Sequence, residues 1–292
     1  MVNRSAYKRE EYINKLRYIE HAIKNMTRCA IKNLSNTVKC YSIYSDDDDD
    51  TYSNKLCVIT VGWKYGNHFL NIAINPSNLT LDGGCELQSL FSVLFNNHYE
   101  ELYEKGVISH FEFYVDVPNT HLADLVLIDA GKRKTTLYRG TTYHGGRKSK
   151  LTCTIYDRAA KLKIDSALTR IEARINRRDL LFKDLVENGI PNPFDKFFVV
   201  PAEALKLIAQ EWKQPQLPHM IREFGVYGAT HRNPAARKKL LERLHEHTVP
   251  WWQPDLFWET NKKMLLEFKP EFLGGNTYGD KENVFDAMTY QS

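Results

Sequence analysis

The segment Thr141-Thr142-Tyr143-His144-Gly145-Gly146-Arg147-Lys148-Ser149-Lys150 sets a phenol just ahead of two glycines and three basic residues. A tyrosine oxygen can attack a phosphodiester, but with a pKa near 10 it is a weak nucleophile until a metal ion or a base activates it. Gly145 and Gly146 would let the backbone approach a phosphate, while Arg147 and Lys148 would supply counter-charge. The product would be a phosphotyrosine, which conserves the energy of the broken bond for rejoining. Tyr138 and Tyr156 compete with Tyr143 by proximity alone.

Chemistry of this kind needs oxygen ligands and cations nearby, and two flanking stretches offer them. In 111–116, Phe111, Phe113 and Val115 alternate with Glu112, Tyr114 and Asp116. In 169–175, Ile171, Ala173 and Ile175 alternate with Arg170, Glu172 and Arg174. A strand turns successive side chains to opposite faces, so each stretch has one apolar and one charged face. If the strands are neighbours, carboxylates and guanidiniums share a surface. Carboxylate oxygens suit Mg²⁺ or Mn²⁺ rather than zinc, and Arg170 and Arg174 would hold phosphate oxygens. Glu112 and Asp116 lie roughly 13 Å apart in a flat strand, too far to touch one ion together without a bend. The plain alternative is a solvated sheet face carrying an ion-pair ladder.

The elements that must position these groups can be read from periodicity. Residues 7–34 carry apolar side chains at helical spacing, and 41–54 form a polar break holding the run Asp46 to Asp50. A hairpin is predicted over 55–63 and 68–75, a helix over 86–105 stopped by Gly106, and strands at 110–117, within 128–138, at 151–157 and at 168–176. Past Arg178 the pattern turns helical: about 201–213, a basic helix over 234–247, and a last helix near 260–268. The reading is an α+β fold with a largely antiparallel central sheet, flanking helices and a helical C-terminal region. It divides as 1–54 (N-terminal helix and acidic loop), 55–182 (the sheet domain) and 183–292 (the helical C-terminal region).

The 292 residues suffice for a large core. A net charge of +4 permits nucleic-acid binding without arguing for it, so local clusters must carry that case. Arg237, Lys239 and Arg243 supply one such cluster on the basic helix, and Lys132-Arg133-Lys134 supply another at a turn. No apolar stretch reaches about 18 residues, so no membrane span is expected. Five scattered cysteines without a CxxC pair fit reduced thiols in a cytoplasm.

Four stretches in order resemble the replication initiators of staphylococcal-type rolling-circle plasmids, the Rep_trans family, related to phage replication initiation factors. They are Asn71 to Leu79 with its Asn-Pro, His110 to Asp116, Tyr143 to Asp157, and Arg170-Ile171-Glu172. The resemblance implies a bacterial, cytoplasmic nickase that cuts one strand at an origin hairpin, becomes linked to the 5′ phosphate through Tyr143 and leaves a 3′ hydroxyl as primer. It places the metal positions on Glu112, Asp116 and Glu172. It further implies a homodimer acting on double-stranded origin DNA with an exposed single-stranded nick site, together with a host helicase and a DNA polymerase. Glu112 stands where the family has Asp, and His110 where it often has Arg. His144 is outside the family pattern and is expected to be a solvated neighbour of Tyr143, with a part in proton transfer as the alternative. Other readings are a non-cleaving origin or operator binder, and a relaxase or transposase with similar chemistry.

Overall fold

The computed structural model describes residues 13–14, 17–18, 20–23, 29–35, 38–44, 55–64, 67–74, 86–87, 89–91, 103–131, 133–146, 148–231 and 233–266. The acidic run Asp46–Asp50, Lys132, Arg147 and most of the helix expected over 86–105 lie outside these residues. The chain forms two compact units, one of residues 1–104 with 270–292 and one of 105–269.

The first unit contains a four-stranded antiparallel sheet of β1 (Cys29–Ser35), β2 (Val38–Tyr44), β3 (Lys55–Lys64) and β4 (Asn67–Ile74), in that order. The hairpin of β3 and β4 falls where expected. β1 does not: the apolar residues read as the end of a helix, Ala30, Ile31 and Leu34, form an edge strand instead, with Ile31 and Leu34 exposed. Pairing with β2 overrides the helical spacing, because β2 alternates strongly and buries Tyr41 and Ile43 in this unit's core. Residues 41–44, assigned from the sequence to a polar break, belong to β2 instead.

The second unit carries the chemistry-bearing residues. Its main sheet is antiparallel with strand order β5-β10-β9-β8-β7, built from β5 (Val107–Pro118), β7 (Thr135–Tyr138), β8 (Thr141–His144), β9 (Leu151–Asp157) and β10 (Leu168–Leu181). The apolar face of β5 and β10, with Phe113, Val117, Ile171, Ala173 and Ile175, enters the core. Two further strands, β6 (Leu125–Asp129) and β11 (Phe197–Pro201), pair antiparallel and are buried almost throughout, as their unbroken apolar runs require. β11 was not expected from the sequence, since a four-residue apolar run is ambiguous between strand and helix.

Six helices appear among the described residues of this unit: α1 (Arg158–Leu162), α2 (Phe182–Asn188), α3 (Ala202–Glu211), α4 (Leu217–Ala229), α5 (Pro234–His245) and α6 (Pro254–Leu266). α4 was not expected from the sequence, where Pro215 and Pro218 interrupt the pattern; Pro218 in fact sits in its first turn, where a missing N–H costs nothing. Leu205 and Ile208 of α3, Leu240 and Leu244 of α5, and Trp258 of α6 share one core with the sheet, and Trp258 meets Phe113 edge-on at 5.0 Å. The units thus divide at 104/105 and 269/270, not after 54 and 182 as the sequence reading had it. The helices past 182 complete the core of the sheet rather than packing separately, and β3 and β4 belong to a different sheet from β5, β9 and β10.

Candidate active site

The register of the main sheet sets which side chains meet. Arg170 lies opposite Asp116 on one side and Tyr156 on the other; Glu172 opposite Tyr114 and Thr154; Arg174 opposite Glu112 and Thr152. Thr154 in turn faces Tyr143, and Tyr143 faces Thr136. Directly opposed residues point to the same side. One row therefore crosses the whole sheet as Tyr114, Glu172, Thr154, Tyr143 and Thr136. Tyr143 and Glu172 share that row two strands apart, roughly 10 Å between Cα atoms.

Ion pairs organise the β5–β10 half of this face. Arg170 grips Asp116 with both ends of its guanidinium, Nε to Oδ1 at 2.6 Å and Nη2 to Oδ2 at 2.5 Å, and stacks on the Tyr114 ring at 3.6 Å. Arg174 donates to Glu112 and also lies 3.7 Å from Glu172 Oε1. Tyr156 donates to Glu172 Oε2 at 3.3 Å. Burial, then the neighbouring Glu172 carboxylate, pushes the Tyr156 phenol upward in pKa, which weakens it as a rival nucleophile. Tyr138, the other rival, lies on the same face at the end of the edge strand β7 and is exposed.

Among the described residues, no group of three or more His, Cys, Asp or Glu side chains is arranged to hold a metal ion. Glu112, Asp116 and Glu172 share a face, but they do not gather. The four-residue step along β5 keeps the first two apart, and an arginine occupies each. A cage of three direct carboxylates therefore does not fit. Of the three, Glu172 is the carboxylate that could serve a hard cation, with water and phosphate oxygens completing the shell, once it is released from Tyr156 and Arg174.

The loop after Tyr143 differs from its expected use. Gly145 donates its N–H to the Lys134 carbonyl at 2.9 Å, and Gly146 donates to Ser149 Oγ at 2.8 Å. Both amides are occupied, so the glycines serve a tight turn rather than a phosphate cradle. Gly145 has φ 108°, and a Cβ there would stand 2.8 Å from the Leu151 carbonyl oxygen. Only glycine can make this turn without strain.

His144 is not the solvated neighbour expected. Strand alternation turns it to the opposite face from Tyr143, where it is 1% exposed, with Nδ1 3.1 Å from Thr135 Oγ1. Burial first, then the Arg133 charge, lowers its pKa to about 4, so it is neutral at ordinary pH and takes no part at the tyrosine oxygen.

No protein-family model matches the chain, and no curated protein matches it. Among solved structures, it is similar to a rolling circle replication initiator protein from Geobacillus stearothermophilus at 12% identity and a TM-score of 0.34, over 65% of this chain and 76% of that one.

The candidate DNA contacts divide. Lys148 is exposed beside the Tyr143 turn. Arg133 is drawn inward, paired with Asp129 at 2.8 Å and lying over Phe197. On α5, Arg243 is held by Glu211 and Glu246, Arg237 is half-buried against Tyr227, and Lys239 is exposed above Trp212. Thr154 and Tyr156 were missed as members of the polar face. Carrying the alternation of 111–116 and 169–175 into 151–157 would have found them.

Proposed function

We propose that the chain is a rolling-circle replication initiator that cleaves one DNA strand with Tyr143. The observation that supports this reading is the opposed row Tyr143–Thr154–Glu172 on a sheet face also bearing Arg170 and Arg174. It sets a phenol and a carboxylate on one surface with only a threonine between them. Arg174, half exposed, is the guanidinium best able to turn from its carboxylates to a phosphate. Arg170 is bound on two sides and acts by fixing Asp116 and Tyr114.

In the reaction the Tyr143 oxygen bonds to phosphorus and the bond to the 3′ oxygen breaks. The phenol proton passes to solvent, and the departing oxygen takes one up to become the 3′ hydroxyl. The 5′ phosphate remains on the tyrosine. Glu172 would hold Mg²⁺ or Mn²⁺, which when bound supplies positive charge to the phosphate and favours the phenolate. Origin DNA with an unpaired nick site, a second copy of the chain, a host helicase and a DNA polymerase are the partners of this reading.

A second reading, a non-cleaving DNA binder, is favoured by one observation: all three acids already have a cationic or phenolic partner. Supercoiled plasmid carrying the cognate origin separates the two. The initiator reading expects metal-dependent open circles and a covalent adduct that mass spectrometry maps to Tyr143, with Tyr143→Phe reducing both at least 10³-fold, on the order expected for loss of a nucleophile. Intact supercoils with tight origin binding would establish the second reading.

A further inference from the structure

The hairpin of β7 and β8 turns on Arg139 and Gly140, both at positive φ (46° and 74°). This is the two-residue turn whose twist matches that of paired strands, so the tip is held firmly. It presents Tyr138 at 58% exposure, with the Arg139 guanidinium 5.2 Å from the ring centroid. An isolated exposed aromatic is ordinary. This one is backed by a cation and shares its sheet face with the candidate nucleophile. Tyr138 lies opposite Thr141, and Thr141 and Tyr143 point to the same side of β8. The step from 141 to 143 is roughly 7 Å, comparable to one extended nucleotide.

Charge along the hairpin suits a phosphate chain. Arg139 stands exposed at the tip, and Lys134 and Lys148 are exposed toward the other end, where the Gly145 N–H ties to the Lys134 carbonyl. A strand laid along the hairpin would meet a cation, an aromatic ring, the Tyr143 phenol and further cations in turn. Aromatic platforms flanked by basic side chains bind unpaired bases with little regard to sequence, whereas a duplex hides its base faces.

We propose that Tyr138 and Arg139 form a stacking subsite for one unpaired base of a DNA strand, next to the phosphate presented to Tyr143. The ring of Tyr138 carries the base, and Arg139 faces the adjoining phosphate. Tyr138 thereby becomes a positioning residue rather than a rival nucleophile. This rests on the polar face being a DNA-cleaving site, but its test does not depend on cleavage.

The test is equilibrium binding of a mixed-sequence single-stranded DNA oligonucleotide containing 2-aminopurine to the full chain bearing Tyr143→Phe, at fixed salt. Quenching of the 2-aminopurine reports stacking, and anisotropy reports affinity. Adding Tyr138→Ala should abolish the quenching and weaken single-strand binding about tenfold or more, as loss of one stacked base does. Tyr138→Phe should keep both within about twofold, and duplex affinity should be unchanged in either variant. Unchanged single-strand binding in Tyr138→Ala would overturn the proposal. So would equal loss in Tyr138→Phe, equal loss on duplex, or no single-strand binding by the parent. If quenching behaves as expected while the plasmid assay shows no adduct, the subsite stands and the nicking reading falls; the reverse pattern removes only the subsite.

Discussion

Neighbouring residues on one short strand meet opposite fates here. Tyr143 faces the polar surface and His144 the core, so adjacency in sequence says nothing about cooperation between them. The buried imidazole has a consequence for stability. An ordinary histidine takes up a proton near pH 6.5, but His144 resists protonation until about pH 4 in the folded chain. Between those values the unfolded chain binds a proton that the folded chain refuses. Stability is therefore full above about 6.5 and falls as pH drops, by up to about 3 kcal/mol at the acid end. Urea unfolding across pH 7 to 4 should show a shallower decline in His144→Gln than in the parent, and parallel curves would contradict this account.

Elements hold the site through a few close contacts. α4 is kinked at Gly225 (φ 68°), and a Cβ there would fall 2.2 Å from Thr135 Oγ1, the same hydroxyl that meets His144. The kink makes room for the first residue of β7 and so seats the hairpin that carries Tyr143. Gly225→Ala should cost on the order of 2–3 kcal/mol of stability through clash and left-handed strain, read as a lowered urea midpoint. On α5 the charges are unequal: Arg243 already has two carboxylate partners, whereas Lys239 has none among the described residues. If α5 contacts phosphates, Lys239→Ala should lower the slope of log affinity against log salt by about 1. Arg243→Ala should lower it less. Filter binding over a salt series measures both.

At the scale of the whole molecule, the strands of 105–182 cannot bury their apolar face alone. The core that covers it draws on β11 and on α3 to α6, including Leu205, Leu240 and Trp258. A fragment of residues 105–269 should therefore unfold cooperatively in urea, while one ending at 182 should not, as followed by near-ultraviolet circular dichroism. No helix among the described residues is long and apolar enough to cross a membrane.

Local sequence determined β5, β9 and β10, and for β5 and β10 which residues share a face, because alternation with a period of two is written into 111–116 and 169–175. The short strand Thr141–His144 and the turn at Gly145 were not read from the sequence, which assigned the glycines to a phosphate; a four-residue strand shows too little alternation, and only its pairing with β7 and β9 defines it. Strand order came only from tertiary structure. Nothing local says that β10 runs between β5 and β9, yet that order sets the arginines against the acids and Tyr143 in line with Glu172. The burial of His144 and the strand at 29–35 were decided there too. Both depend on partners distant in sequence, whose packing outweighs local propensity.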